Sequence, residues 1–234
     1  MSGSRSALPL GATASTRESL RLTAESLFAA HGLDGVSLKQ ICDVAGQANR
    51  SAIQYHFGSK QGLVDAIFEY RLPAINRRRA AMLADLEAHD RLRDARGLIE
   101  AVVVPLAEES EYGAGRYVGF LHQLTFGGSM TSQYRRILPA FTETTGRTLA
   151  LLASALPDLP RPIRAHRQTL AQSQISIALA LRENALRSGD PERKLLPYHL
   201  FLSDLLDTLT HAATAPMSES TRLALAGHPA TPAT

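Results

Sequence analysis

Between Ser15 and Phe68 helix starters and helix stoppers alternate at short intervals, and this punctuation limits the fold more than any other feature. Ser15 with Glu18 forms a capping box, in which each side chain can satisfy a backbone N–H of the first turn. Leu20, Ala24, Leu27 and Phe28 follow as one apolar stripe, and Gly32 supplies a stop. Ser37 with Gln40 opens a second, short helix with Leu38, Ile41, Val44 and Ala45 inward, and Gly46 breaks it. Asn49 can cap a third helix running to about Phe57, which Gly58 ends. Ser59 then caps a longer fourth helix through Leu63, Ile67 and Phe68 into the arginine run at 77–79. Two short helices joined by a glycine-containing turn, with a longer helix before them, form a helix-turn-helix.

Beyond this unit apolar residues recur at helical spacing and strand signals are nearly absent, so the expected class is all-α. Helices are expected over about 96–110, 115–126, 132–155, 162–187 and 191–213, the last opened by Asp190-Pro191. Pro73 and Pro197 fall inside expected helices and should kink or break them. The expected organisation is a disordered tail over 1–14, a helix-turn-helix domain over 15–61, a helical domain over 62–215, and a disordered tail over 216–234.

No apolar run reaches the roughly 20 residues that cross a bilayer, and the first residues are too broken for a signal peptide, so a cytoplasmic protein is expected. Cys42 is the single cysteine, set among apolar neighbours, which points to a buried inert thiol and excludes an internal disulfide. Net charge is only +3, but Arg17, Arg21, Lys39, Arg50, Lys60, Arg71 and the run at 77–79 give the first third a basic balance. Glu108, Glu109 and Glu111 answer it in the middle of the chain.

The third helix carries the chemistry. Ile53 and Phe57, four apart, must turn inward, which leaves Ser51, Gln54 and Tyr55 outward with Arg50 and His56 on the edges. Such a face suits a major groove, where Arg reads guanine, Gln reads adenine and hydroxyls meet phosphate or base; an ordinary solvated face would look similar. The string from Val36 to Ile41, then Ala45-Gly46, then Ala52 to Lys60 with its Tyr-His-Phe and Ser-Lys, resembles the DNA-binding domain of the TetR family. The resemblance covers the first quarter to third of the chain. It implies base or backbone contacts for Ser37, Lys39, Arg50, Ser51 and Gln54, and phosphate contacts for Tyr55, His56 and Lys60. The turn from Gly46 to Arg50 is one residue longer than the commonest family spacing, so Gln47 and Asn49 are each either a DNA contact or only part of the cap.

The resemblance further implies a homodimer on a palindromic double-stranded operator, an effector pocket, and a repressor released by a small, largely apolar ligand. Leu170, Ile177, Leu181 and Ala185, with Leu202, Leu205, Leu206 and Leu209, are candidates for the dimer interface, or pack within one subunit. Tyr117, Phe120, Leu121 and Leu124, then Tyr134, Leu138 and Phe141, are pocket candidates or plain core, with His122 or Gln123 as polar anchors. No cofactor, metal site or enzymatic activity is expected. The histidines show no helical pairing for a metal, Gly113, Gly115 and Gly119 miss the dinucleotide spacing, and Gly127-Gly128-Ser129 lacks the glycine of a nucleophile elbow. The rival reading is an all-α ligand-binding or interaction module without sequence-specific DNA binding.

Overall fold

Gly32, Gly46 and Gly58 all take the left-handed conformation, with φ of 71°, 68° and 71°, so each expected stop turns the chain where other residues would be strained. The computed structural model describes residues 10–49, 51–113, 115–126, 143–156, 159–188 and 194–227. Among them are ten helices and no strand: α1 (Leu10–His31), α2 (Leu38–Val44), α3 (Ala52–Phe57), α4 (Lys60–Ala88), α5 (Ala95–Tyr112), α6 (Tyr117–Phe126), α7 (Glu143–Ala155), α8 (Arg161–Arg187), α9 (Tyr198–Thr214) and α10 (Glu219–Ala226). The fold is all-α, an N-terminal helix-turn-helix followed by a helical C-terminal region. No described helix is long and apolar enough to cross a membrane. Expectations for Arg50, Gly127 to Ser129, Tyr134, Leu138, Phe141 and the Asp190-Pro191 start concern residues outside the described ones.

Several boundaries differ from expectation. α1 begins at Leu10, so Ser15 lies inside the helix and 10–14 are not a disordered tail. α10 stands where a disordered tail was expected: Ser218 Oγ accepts the Thr221 N–H at 3.3 Å, a local cap that starts the helix although it buries no residue. α9 starts only at Tyr198, because Pro197 takes the cap position and residues 194–197 are not helical. Pro73 does the reverse. α4 continues through it, since Pro73 lies on the exposed side, where solvent can satisfy the carbonyl left without an N–H partner.

The expected boundary at 61/62 falls inside α4, and the core explains why. Leu20, Ala24 and Phe28 of α1, Ile41, Ile53, Leu63 and Ile67 share one cluster with Tyr117, Phe120 and Leu124 of α6. Phe120 lies 6.2 Å from Phe28 and 5.5 Å from Phe68, ring centroid to centroid. The helix-turn-helix core is thus closed by a helix that starts sixty residues after the end of its last short helix. Cys42 is fully buried there, whereas Val44, expected inward, is 62% exposed, because the short α2 presents only one face to α1. A second cluster joins Val103 of α5, Val118 of α6, Leu179 of α8 and Leu205, Leu206 and Leu209 of α9. The last three leucines were interface candidates; at 6%, 5% and 1% exposure they pack inside one subunit instead. Leu83 and Leu86 of α4 make a third cluster with Leu98 and Ala101 of α5.

Candidate nucleic-acid interface and cavity

The reading face is built from its caps. Ser37 Oγ accepts the Gln40 N–H at 3.1 Å and so starts α2, with Lys39 exposed on its first turn. After Gly46, Gln47 is half buried, and its amide folds back toward the Ala45 carbonyl at 3.5 Å. Asn49 Oδ1 accepts the Ser51 N–H at 2.9 Å and its carbonyl accepts the Ala52 N–H at 3.0 Å, so the extra turn residue is occupied in starting α3. Ala52 and Ile53 anchor α3 in the core, and Ser51, Gln54 and Tyr55 point outward, Tyr55 at 79% exposure. His56 is half buried, its ring edge-on to Tyr55 at 4.9 Å, which steadies both side chains beside the exposed face. Phe57 is half buried under Arg17, whose guanidinium carbon lies 5.1 Å from the ring centroid.

Lys60 is held by the fold itself. Its ammonium donates to the Val36 carbonyl at 2.6 Å and to the Leu33 carbonyl, 5.7 Å from the centre of the Phe28 ring. It ties the first turn of α4 to the loop between α1 and α2. The basic balance of the first third is likewise partly internal. Arg21 is 3% exposed, its guanidinium carbon 3.3 Å from the Tyr70 ring centroid, and burial lowers its pKa. Arg71 and Arg79 are also buried.

Arg71 lies at the centre of an ionic link behind the reading head. It binds Glu25 of α1 through two hydrogen bonds of 2.9 Å and Glu109 of α5 through one of 2.8 Å. Burial would depress the Arg71 pKa, but the bonds and charge of Glu25 outweigh it and the net shift is upward. Burial raises the pKa of Glu109 against the pull of Arg71. Glu25 also accepts the Arg116 N–H at 2.7 Å, at the start of α6. A Cβ at Gly115 would collide with this ion pair, so that glycine lets the backbone pass over it. Glu183 of α8 holds the same end of α6, accepting the Val118 N–H at 3.0 Å and the Gly119 N–H at 2.7 Å. Burial pushes the Glu183 carboxyl up to about 7, against the downward pull of those two bonds. Glu108 and Glu111 pair with Arg78 and Arg182, so all three glutamates at the end of α5 have arginine partners.

Sequence reasoning missed Glu25, Arg71, Arg79 and Glu183. The signal was available: Leu63, Ile67, Arg71, Ile75, Arg79 and Leu83 are spaced by four along α4, which puts both arginines on its buried stripe. Gly115 and Gly119, weighed as a failed dinucleotide loop, instead allow α6 to approach Glu25 and Glu183 closely.

Within the helical region is a cavity of about 590 Å³, walled by α4, α5, α6, α7, α8 and α9, in a size range that suits a small ligand. Tyr117 and Leu121 line it. Phe120 and Leu124 do not; they face the helix-turn-helix core. His122 and Gln123 lie on a separate depression with Ala29 and Glu183, and His122 Nδ1 is 3.0 Å from Ser176 Oγ. On α8, Leu170, Ile177 and Leu181 are 54%, 47% and 56% exposed; Ala185 is buried, and Leu202 of α9 is half buried.

A comparison with curated proteins gives no match. Residues 21–67, from the middle of α1 into α4, match the model of bacterial regulatory proteins of the tetR family. Residues 21–67 thus carry the DNA-binding domain of the tetR family of bacterial regulatory proteins.

Proposed function

We propose that this regulator binds a palindromic operator as a homodimer, and acts as a repressor released by a small, largely apolar ligand. The observation that carries the reading is the continuity of α4. Its first residue, Lys60, is tied to the loop before α2, while Phe68, Leu72, Ile75 and Arg79 further along it line the cavity. A ligand that fits the cavity better in one setting of α4 therefore also selects a setting of α3. Coupling of this kind is a difference in affinity between two states, and it acts equally in both directions.

Ser51, Gln54 and Tyr55 form the reading face in this reading, with His56 at its edge and Ser37, Lys39, Gln47 and Asn49 around its start. One such face reads few base pairs, and a two-fold dimer doubles the site. The exposed Leu170, Ile177 and Leu181 stripe on α8, with Leu200 of α9 at 48% exposure, supports that dimer. Half-sites should then lie ~34–36 Å apart or at multiples of one helical turn.

The test is selection of bound sequences from a random duplex pool at a stated, moderate salt concentration. Recovery of a two-fold symmetric site is expected. Salt-sensitive binding without sequence preference would overturn the reading and leave an interaction module.

A further inference from the structure

Two polar side chains in the cavity wall lack the partners that burial ordinarily demands. Arg79 is 2% exposed, and its guanidinium donates through Nε to the Ala101 carbonyl at 3.1 Å and through Nη1 to Asn76 Oδ1 at 2.9 Å. Both acceptors are neutral, and no carboxylate among the described residues pairs with it. Arg71 and Arg182, about as deeply buried, each have glutamate partners. An arginine keeps its proton in proteins, so Arg79 is a buried cation without a counter-charge, which is costly to maintain. Tyr117 is 1% exposed, and its hydroxyl has no hydrogen-bond partner among the described residues. Burial raises its pKa far above the ordinary value, so the phenol remains a neutral proton donor. Each acts electrostatically on the other.

The remaining lining points the same way. The charged residues on the cavity wall are Arg79, Arg164 and Arg167; among the described lining residues there is no Asp or Glu. Most of the rest is aliphatic, from Leu72 and Ile75 of α4 to Leu149, Leu152 and Ile175 across the cavity. An apolar space whose fixed charges all have one sign favours an apolar body with an anionic head.

Resting on the ligand-released regulator proposed above, we infer that the effector is an apolar monocarboxylic acid, its carboxylate held by the Arg79 guanidinium and the Tyr117 hydroxyl. A carboxylate offers enough lone pairs for both donors, and its charge supplies what Arg79 lacks.

Decanoate and decan-1-ol, each below its aggregation limit, would be titrated calorimetrically into the full chain without DNA. Decanoate is expected to bind at least about tenfold more tightly, the scale of one hydrogen bond to a charged group. Tyr117→Phe, which keeps the ring and its packing, is expected to weaken decanoate about tenfold. Arg79→Gln is expected to abolish the preference for the acid. Equal affinity for the two probes, or a Tyr117→Phe variant that binds decanoate unchanged, would overturn the carboxylate anchor while leaving an apolar-ligand regulator in place. If neither probe binds, the anchor and the ligand reading of the cavity fail together. Operator recognition is measured separately and is unaffected by that result.

Discussion

Lys60 shows how one side chain can carry a family signature and at the same time tie the fold together. The family resemblance implied a phosphate contact for it, helped by the helix N-terminus that it opens. Its ammonium donates to two carbonyls of the loop before α2 and so ties the start of α4 to that loop. Lys60→Met should therefore lower stability by about 1–3 kcal/mol, the cost of leaving buried acceptors unpaired. It should leave the salt dependence of operator binding unchanged, whereas loss of a phosphate contact would reduce the slope by about 1. Thermal melting and a salt titration of DNA affinity separate the two roles. A fall in the slope with unchanged melting would restore the phosphate contact.

At the scale of elements, α6 is the connector between the reading head and the helical region. It packs against α1 through Phe120 and Phe28, and its first turn is held by Glu25 from α1 and Glu183 from α8. Ten residues suffice because both carboxylates act on backbone N–H groups that the helix itself cannot use. The Glu183 linkage has a definite sign. Its carboxyl is raised from 4.5 to about 7 in the folded protein, so between these values the folded state holds a proton that the unfolded chain has released. Stability from this group is therefore greatest below pH 4.5 and declines as pH rises toward 7, by on the order of 3 kcal/mol in all. Glu183→Gln, which cannot titrate, should flatten that decline in denaturant melts measured across the window. An unchanged profile in the variant would assign the pH dependence to other groups.

For the whole molecule, the decisive question is which apolar residues remain outside after one subunit has folded. The α9 leucines 205, 206 and 209 are used internally, so they cannot form the seam between subunits. The α8 residues Leu170, Ile177 and Leu181 stay exposed, seven and four apart, on one side of the helix. Ile177→Glu combined with Leu181→Glu should convert a dimer to a monomer in light scattering, with helix content retained. Each carboxylate would have to be desolvated in the interface. Affinity for a two-half-site operator should then drop at least about tenfold, because one subunit reads half the site. A double variant that still dimerises would move the interface away from α8.

Local chemistry was enough to define the short helices of the reading head. Ser37, Gly46, Asn49, Gly58 and Ser59 act within a few residues of themselves, through side-chain caps and left-handed turns that need no distant partner. The outward set of Ser51, Gln54 and Tyr55 followed from helical geometry once Ile53 was placed inside. What the sequence could not decide was which apolar and charged stripes would meet. Phe120 could have lined a cavity or packed on Phe28, and Leu205 could have met a second subunit or Leu179; periodicity is the same in each case. Arg71 and Arg79 share one stripe and one spacing, yet tertiary packing gives the first two glutamates and leaves the second facing an apolar cavity without a counter-charge. The sequence by itself thus determined the two short helices of the helix-turn-helix and the outward side of the second, because caps and turns are short-range. Only the tertiary structure decided the connector, the cavity and its charge, because partners as distant in the chain as Glu25 and Arg116, ninety-one residues apart, must first be brought together.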